Sequence, residues 1–180
     1  KSPAPELGAT VIRALLAKTG VKADAVSEVI LGQVLTAGSG QNAARQSSLR
    51  AGLPDAIPAM TINKVCGSGL KAVMLAAQAV QTDNAEIVVA GGMESMANCP
   101  YLLPKARGGY RLGHGQIIDH MFMDGLEDAY SKETRGRLMG TFAEECADKY
   151  QFTREAQDRF AITSLQRAQK ANKEGWFAWE

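Results

Sequence analysis

The run Ile87-Val88-Val89-Ala90 is apolar at every position, so a strand there has no face to give to water. Strands of that kind belong to sheets covered by helices on both sides, which are typically parallel sheets with helical crossovers. The neighbouring sequence supplies the helices. Glu6 to Lys18 sets Leu7, Val11, Ala14, Leu15 and Lys18 at helical spacing and stops at Gly20. Asn42 can cap a helix to about Arg50, closed by Gly52 and Pro54. Gly69 to Val80 is alanine-rich, with Leu70, Val73, Met74, Ala77 and Val80 in register. Between them, the β-branched run Val26 to Leu35, broken by Ala37-Gly38-Ser39-Gly40, and the segment Ala59 to Val65 read as strands, as does Glu86 to Ala90. This β-α-β alternation predicts an α/β fold with a layered α-β-α core.

After Gly91-Gly92 the texture changes. Met93 to Asp124 is rich in glycine, proline and methionine and has no sustained period, which predicts a long functional or interfacial excursion. Two helices follow. Thr141 and Glu144 form a capping box ahead of Phe142, Ala143, Cys146, Ala147 and Tyr150, which puts Cys146 on an apolar face, and Thr153 caps a longer helix to about Lys173. The chain thus divides into a core over residues 1–95 and an excursion with helices over 96–180.

With 180 residues the chain is long enough to bury a full-sized core. Its 20 basic and 19 acidic residues leave a formal charge of +1, which gives no reason to expect nucleic acid as a partner. No run approaches the ~20 apolar residues of a spanning helix, so no membrane is expected either. Cys66, Cys99 and Cys146 are odd in number and far apart, a pattern suited to a reducing compartment. They form no Cys-x-x-Cys pair and lie outside ligand spacing of His114 and His120, so no metal is expected. The given residues carry no signal-peptide pattern, and the expected location is cytoplasmic; because the start at Lys1-Ser2-Pro3 lacks an initiator methionine, so that an upstream presequence could have been lost, mitochondrion and peroxisome stay open.

The segment Asn63-Lys64-Val65-Cys66-Gly67-Ser68-Gly69-Leu70 carries the chemistry. It sets a cysteine on a glycine-rich turn between a strand and a helix. The free N–H groups and positive dipole end of a first helical turn favour an anion, here a thiolate, so Cys66 is a candidate nucleophile. The competing reading is a small buried cysteine in a strand-to-helix turn.

Five blocks then match one family in order: Gly40-Gln41-Asn42-Ala43-Ala44-Arg45-Gln46, Asn63 to Gly69, Ala90-Gly91-Gly92-Met93-Glu94-Ser95-Met96, Met123-Asp124-Gly125-Leu126 and Met139-Gly140-Thr141. On these the chain resembles a thiolase, of the acetyl-CoA acetyltransferase (acetoacetyl-CoA thiolase) branch. The resemblance implies a thiolase-like layered fold and coenzyme A thioesters, acetyl-CoA and acetoacetyl-CoA, as substrates, with no separate cofactor. It implies that Cys66 accepts the acyl group and that a second acyl-CoA or free CoA resolves the acyl-cysteine. Gly67 and Gly69 leave room for the thioester, and the Cys66 N–H suits an oxyanion. By the same resemblance Leu126, Leu138 and Met139 line the acyl pocket and pantetheine channel, Met139 leans toward short acyl groups, and the protein is a homodimer or homotetramer. Residues 96–180 correspond to a loop-domain segment and the helices after it.

The chain departs from the family in three respects. Glu127 to Arg137, with the charged run Lys132-Glu133-Thr134-Arg135, is longer than usual and reads as a solvated loop. The family's histidine in an Asn-Glu-His-Gly-Gly-like segment and its second cysteine in a Cys-x-Gly segment have no counterparts; His114 and His120 stand in other contexts and read as solvated loop residues. Cys99, followed by Pro100, reads as a partly buried interface thiol. The strand that usually precedes the first helix is missing, and Trp176-Phe177-Ala178-Trp179-Glu180 stops where another strand is expected. The expectation is the first half of a longer enzyme, inactive as this fragment. The alternatives are a truncated CoA-binding or assembly subunit and a ketoacyl synthase-like condensing enzyme; the Gly-Gly-Met-Glu-Ser and Met-Gly-Thr blocks favour the thiolase.

Overall fold

The computed structural model describes residues 2–179; Lys1 and Glu180, the outermost residues of the two terminal readings, lie outside the described residues. The first helix, α1, runs Ala4–Thr19, and Gly20 in the left-handed region (φ 70°) closes it by donating its N–H to Leu16 O. Strand β1 follows at Glu28–Gly32, then α2 at Ala43–Arg50, β2 at Ala59–Ile62, α3 at Ser68–Gln81 and β3 at Val88–Gly92. The three strands are parallel, in the order β2-β1-β3, with Val29 opposite both Ala59 and Val89.

Alternation along β1 assigns its two faces. Val29 and Leu31 join Ala4 and Ile12 of α1, Ala43 and Ala44 of α2 and Val89 of β3 in one buried cluster. The opposite face, where Gly32 points, carries α3. The layered α-β-α core expected from the sequence is therefore present, and central β1 is its most buried strand.

The strands are shorter than their apolar runs. β1 ends at Gly32; Gln33 N still donates to Ile62 O of β2 at 3.0 Å, and beyond it Val34 and Leu35 leave the sheet while half-buried and buried, because side chains rather than a strand take up their backbone groups. α3 has two apolar faces. Ser68, Ala72 and Ala76 pack against the sheet at four-residue spacing, and the larger residues in helical register, Leu70, Val73, Met74 and Val80, are the ones left exposed.

The excursion contains a two-residue antiparallel pairing of β4 (Tyr101–Leu102) with β5 (Ile118–Asp119) and a wide helical turn at Phe122–Leu126. Helix α4 spans Met139–Tyr150 and α5 spans Arg154–Lys173. Thr153 caps α5 as expected, accepting the N–H of Ala156 at 3.2 Å. The capping box at Thr141 is a correction: α4 begins two residues earlier, at Met139, and the Thr141 hydroxyl donates to Leu138 O at 2.8 Å instead of accepting from the helix. Cys146 is a second correction. It is exposed rather than packed, since among the described residues no other element covers that side of α4.

Candidate active site

The turn that carries Cys66 is tied by its own backbone and by one serine. Asn63 Oδ1 accepts the N–H of Val65 at 2.9 Å, and Lys64 O accepts that of Gly67 at 3.1 Å. Ser68, almost wholly buried, sits inside the loop: its hydroxyl donates to Val65 O at 2.6 Å and accepts the N–H of Lys64 at 2.7 Å. The closure forces Val65 to φ 47°, a conformation that costs a β-branched residue about 1–2 kcal/mol. Strain of this kind persists only where surrounding bonds over-determine it. The outcome is that Cys66 is exposed, one residue before Gly67, which caps α3. The buried-cysteine reading does not hold for it.

Cys66 borders two adjoining cavities. One, of about 300 Å³, is lined by Gln33, Val65, Cys66, Ser68, Gly69 and Glu94 among others. The other, of about 180 Å³, is mainly apolar, with Leu35, Cys66, Met96, Met121 and Leu126 in its wall. Cys66 and Leu126, far apart in sequence, thus face the same space. Leu138 and Met139 do not line it; Leu138 pairs with Glu127 in an isolated bridge next to Leu126, and Met139 opens α4, both partly exposed.

Three polar residues shape this region without having been singled out as site residues. Glu94 follows β3 and points its carboxylate back across the sheet, accepting from Val34 N at 2.9 Å and Leu35 N at 3.1 Å. Gln33, buried, donates from Nε2 to Leu35 O at 2.9 Å. His120 corrects the solvated-loop expectation. It is 4% exposed, its Nε2 accepts the N–H of Ala37 at 3.3 Å, and its Nδ1 lies 2.5 Å from Asp124 Oδ2. Because Nε2 accepts, the proton sits on Nδ1 and is donated to Asp124. The His120-Asp124 spacing of one helical turn was the available signal, hidden in a stretch without periodicity. His114 stays exposed in the excursion, beside a separate cavity of about 490 Å³ shared with Lys105 and Tyr110.

Cys99 is half-buried, and its thiol is pushed above its ordinary range by burial first and then by the charges of Asp119, Glu94 and Asp124. The charged loop after Leu126 is exposed at Lys132, Glu133 and Arg135, as expected, but it closes on Asp128. The Asp128 carboxylate accepts the Thr134 hydroxyl, which holds that carboxyl below its ordinary range, and Gly136 N donates to Asp128 O at 2.9 Å.

Against known proteins, residues 1–180 match the family described as Thiolase, N-terminal domain. The chain belongs to the thiolase family. This thiolase is 58% identical over 177 residues to the acetyl-CoA acetyltransferase of Cupriavidus necator, an alignment covering 98% of the chain and 44% of that protein. It is 59% identical over 177 residues to the acetyl-CoA acetyltransferase of Chromobacterium violaceum, with the same two shares of 98% and 44%. Acetyl-CoA acetyltransferase 2 of Arabidopsis thaliana is 48% identical over 178 residues, 99% of the chain and 43% of that protein. The thiolase chain thus spans less than half the length of these relatives. Among its described residues, no helix is long and apolar enough to cross a membrane.

Proposed function

We propose that this thiolase chain serves an acyl-CoA acyltransferase that forms or cleaves acetoacetyl-CoA through an acyl-cysteine on Cys66. The observation that carries the reading is the exposed Cys66 Sγ-bearing turn at the start of α3, held by Ser68 and bordered by two cavities. The Cys66 thiolate attacks the thioester carbonyl carbon. A new S–C bond forms, the bond to the CoA sulfur breaks, and that sulfur leaves with the electron pair and takes up a proton. In the second half-reaction the CoA sulfur, or the α-carbon of a second acetyl-CoA, gives up a proton to a base and bonds to the acyl carbon, and the acyl–sulfur bond breaks with its electron pair returning to Cys66 Sγ. This chemistry calls for no cofactor besides the CoA thioesters. The names of the relatives support acetyl-CoA and acetoacetyl-CoA as substrates.

Leu126 is assigned to the acyl pocket because it shares a cavity with Cys66; Leu138 and Met139, outside that cavity, are assigned to the approach of the pantetheine arm on the family resemblance. The free cysteines suit a reducing cytoplasm, and the two outer strands, β2 and β3, leave sheet edges that a homo-oligomer or further chain can cover.

Turnover needs a base, and the lining of the two cavities offers one ionisable side chain besides Cys66, Glu94, whose oxygens are taken by backbone N–H groups. The second reading, a CoA-binding or assembly subunit, draws on that same observation. We expect these 180 residues alone to accept an acyl group at Cys66 and to show little or no steady-state thiolysis of acetoacetyl-CoA. Intact mass after incubation with acetyl-CoA tests both. An acetyl adduct lost in Cys66→Ala supports the nucleophile; an adduct that persists in the mutant refutes it, and normal steady-state rates refute the need for further residues.

A further inference from the structure

We infer that His120 is a positioning residue that fixes the width of the apolar cavity beside Cys66, and so selects the length of the acyl group loaded onto it. The inference rests on the acyl-cysteine reading above. The cavity wall contributed by the loop after β1 is held by side chains at both ends. At Val34 and Leu35 the backbone N–H groups are gripped by Glu94; at Ala37 the N–H is gripped by His120 Nε2.

His120 is held in turn through Nδ1–H to Asp124, inside the same Phe122–Leu126 turn that delivers Leu126 to the opposite wall. One buried imidazole therefore connects the two walls. The spacing between them is tight: a Cβ built on Gly125 would stand 3.1 Å from Leu35 Cδ2, closer than ordinary van der Waals contact. The lining offers Val34, Leu35, Met96, Met121 and Leu126, and its carboxylate, that of Glu94, is already engaged with backbone N–H groups. Such a space takes an alkyl chain and rejects a charged one.

The two nitrogens of His120 make separable contributions. Glutamine can place an acceptor near Ala37 N, at the distance of Nε2; asparagine can still donate to Asp124 but is too short for Ala37. In the full protein, single-turnover acylation of Cys66 is followed by mass for acetyl-CoA and butyryl-CoA, alongside thermal unfolding. His120→Asn is expected to raise the butyryl-to-acetyl rate ratio by about tenfold, the discrimination a loosened apolar pocket gives up. His120→Gln, which keeps the Ala37 tie and gives up the one to Asp124, is expected to raise the ratio by about threefold, less than His120→Asn, and Gly125→Ala, which crowds Leu35 from the other wall, to lower the ratio. An unchanged ratio in His120→Asn, or a shift in His120→Gln as large as that in His120→Asn, overturns the role of His120. If His120→Asn does not fold, an unchanged ratio in Gly125→Ala overturns the two-wall geometry. No adduct on Cys66 from either thioester overturns the acyl-cysteine reading itself, and this inference with it.

Discussion

Gly32, the last residue of β1, lies so close to the first turn of α3 that a Cβ built on it would stand 2.6 Å from the carbonyl carbon of Ser68. The obstacle is backbone, which cannot swing aside as a side chain does. The contact sets how near α3 approaches the sheet, and Cys66 is two residues from Ser68. Gly32→Ala is therefore expected to destabilise the fold by about 2–3 kcal/mol, at the upper end of overpacking costs. Urea unfolding measures this. A loss below about 0.5 kcal/mol, no more than an ordinary surface change, contradicts the close approach.

The same contact marks what the sequence discloses. The six elements from α1 to β3 follow from periodicity and punctuation, because each has one environment along its length, and residues such as Val29 and Ala44 answer to the pattern rule directly. The turn at Cys66 is legible because glycine and a lone cysteine between a strand and a helix have few structural meanings. What stays hidden depends on partners distant in sequence. Glu94 holds Val34 and His120 holds Ala37 across separations that no local pattern encodes. α3 shows a further limit: its helical register is readable, but which apolar face meets the sheet is decided by the small residues Ser68, Ala72 and Ala76 rather than by the large ones. Cys146 fails for a related reason, since an apolar stripe predicts burial only when some element covers it.

Cys99 gives a pH-dependent expectation. Its thiol is raised by burial, then by the negative charges of Asp119, Glu94 and Asp124, so the native state holds this proton more tightly than the unfolded chain, whose thiol titrates near ~8.5. A raised native value means that the stabilisation is fully present below the unfolded value and fades as pH rises through the native one. Alkylation of Cys99 by iodoacetamide, followed by peptide mass, should therefore rise at a higher pH than for the unfolded chain. Asp119→Asn should move that rise downward. Cys99→Ala should flatten the decline of unfolding free energy above about pH 8.5. A Cys99 alkylation profile identical in wild type and Asp119→Asn removes the charge contribution.

Ser68 supplies the last expectation, because one hydroxyl does two jobs in a buried place. It accepts from Lys64 N and donates to Val65 O, closing the turn in which Val65 is held at φ 47°. Ser68→Ala removes both bonds and adds no bulk, and the Lys64 N–H loses its acceptor. The cost of losing these bonds is expected to be about 1–3 kcal/mol, measurable by urea unfolding. Val65 O keeps the backbone N–H of residue 68, at 3.1 Å, so the turn loses its side-chain ties and retains this main-chain one, and the stability loss alone understates the change at the site. The more telling readout is acylation. With the turn free to relax, Cys66 no longer faces the cavities in one fixed orientation, and its single-turnover acylation by acetyl-CoA should fall by about tenfold or more. A variant that loses stability but acylates Cys66 at the wild-type rate would mean that Ser68 supports the fold and has no part in presenting the thiol.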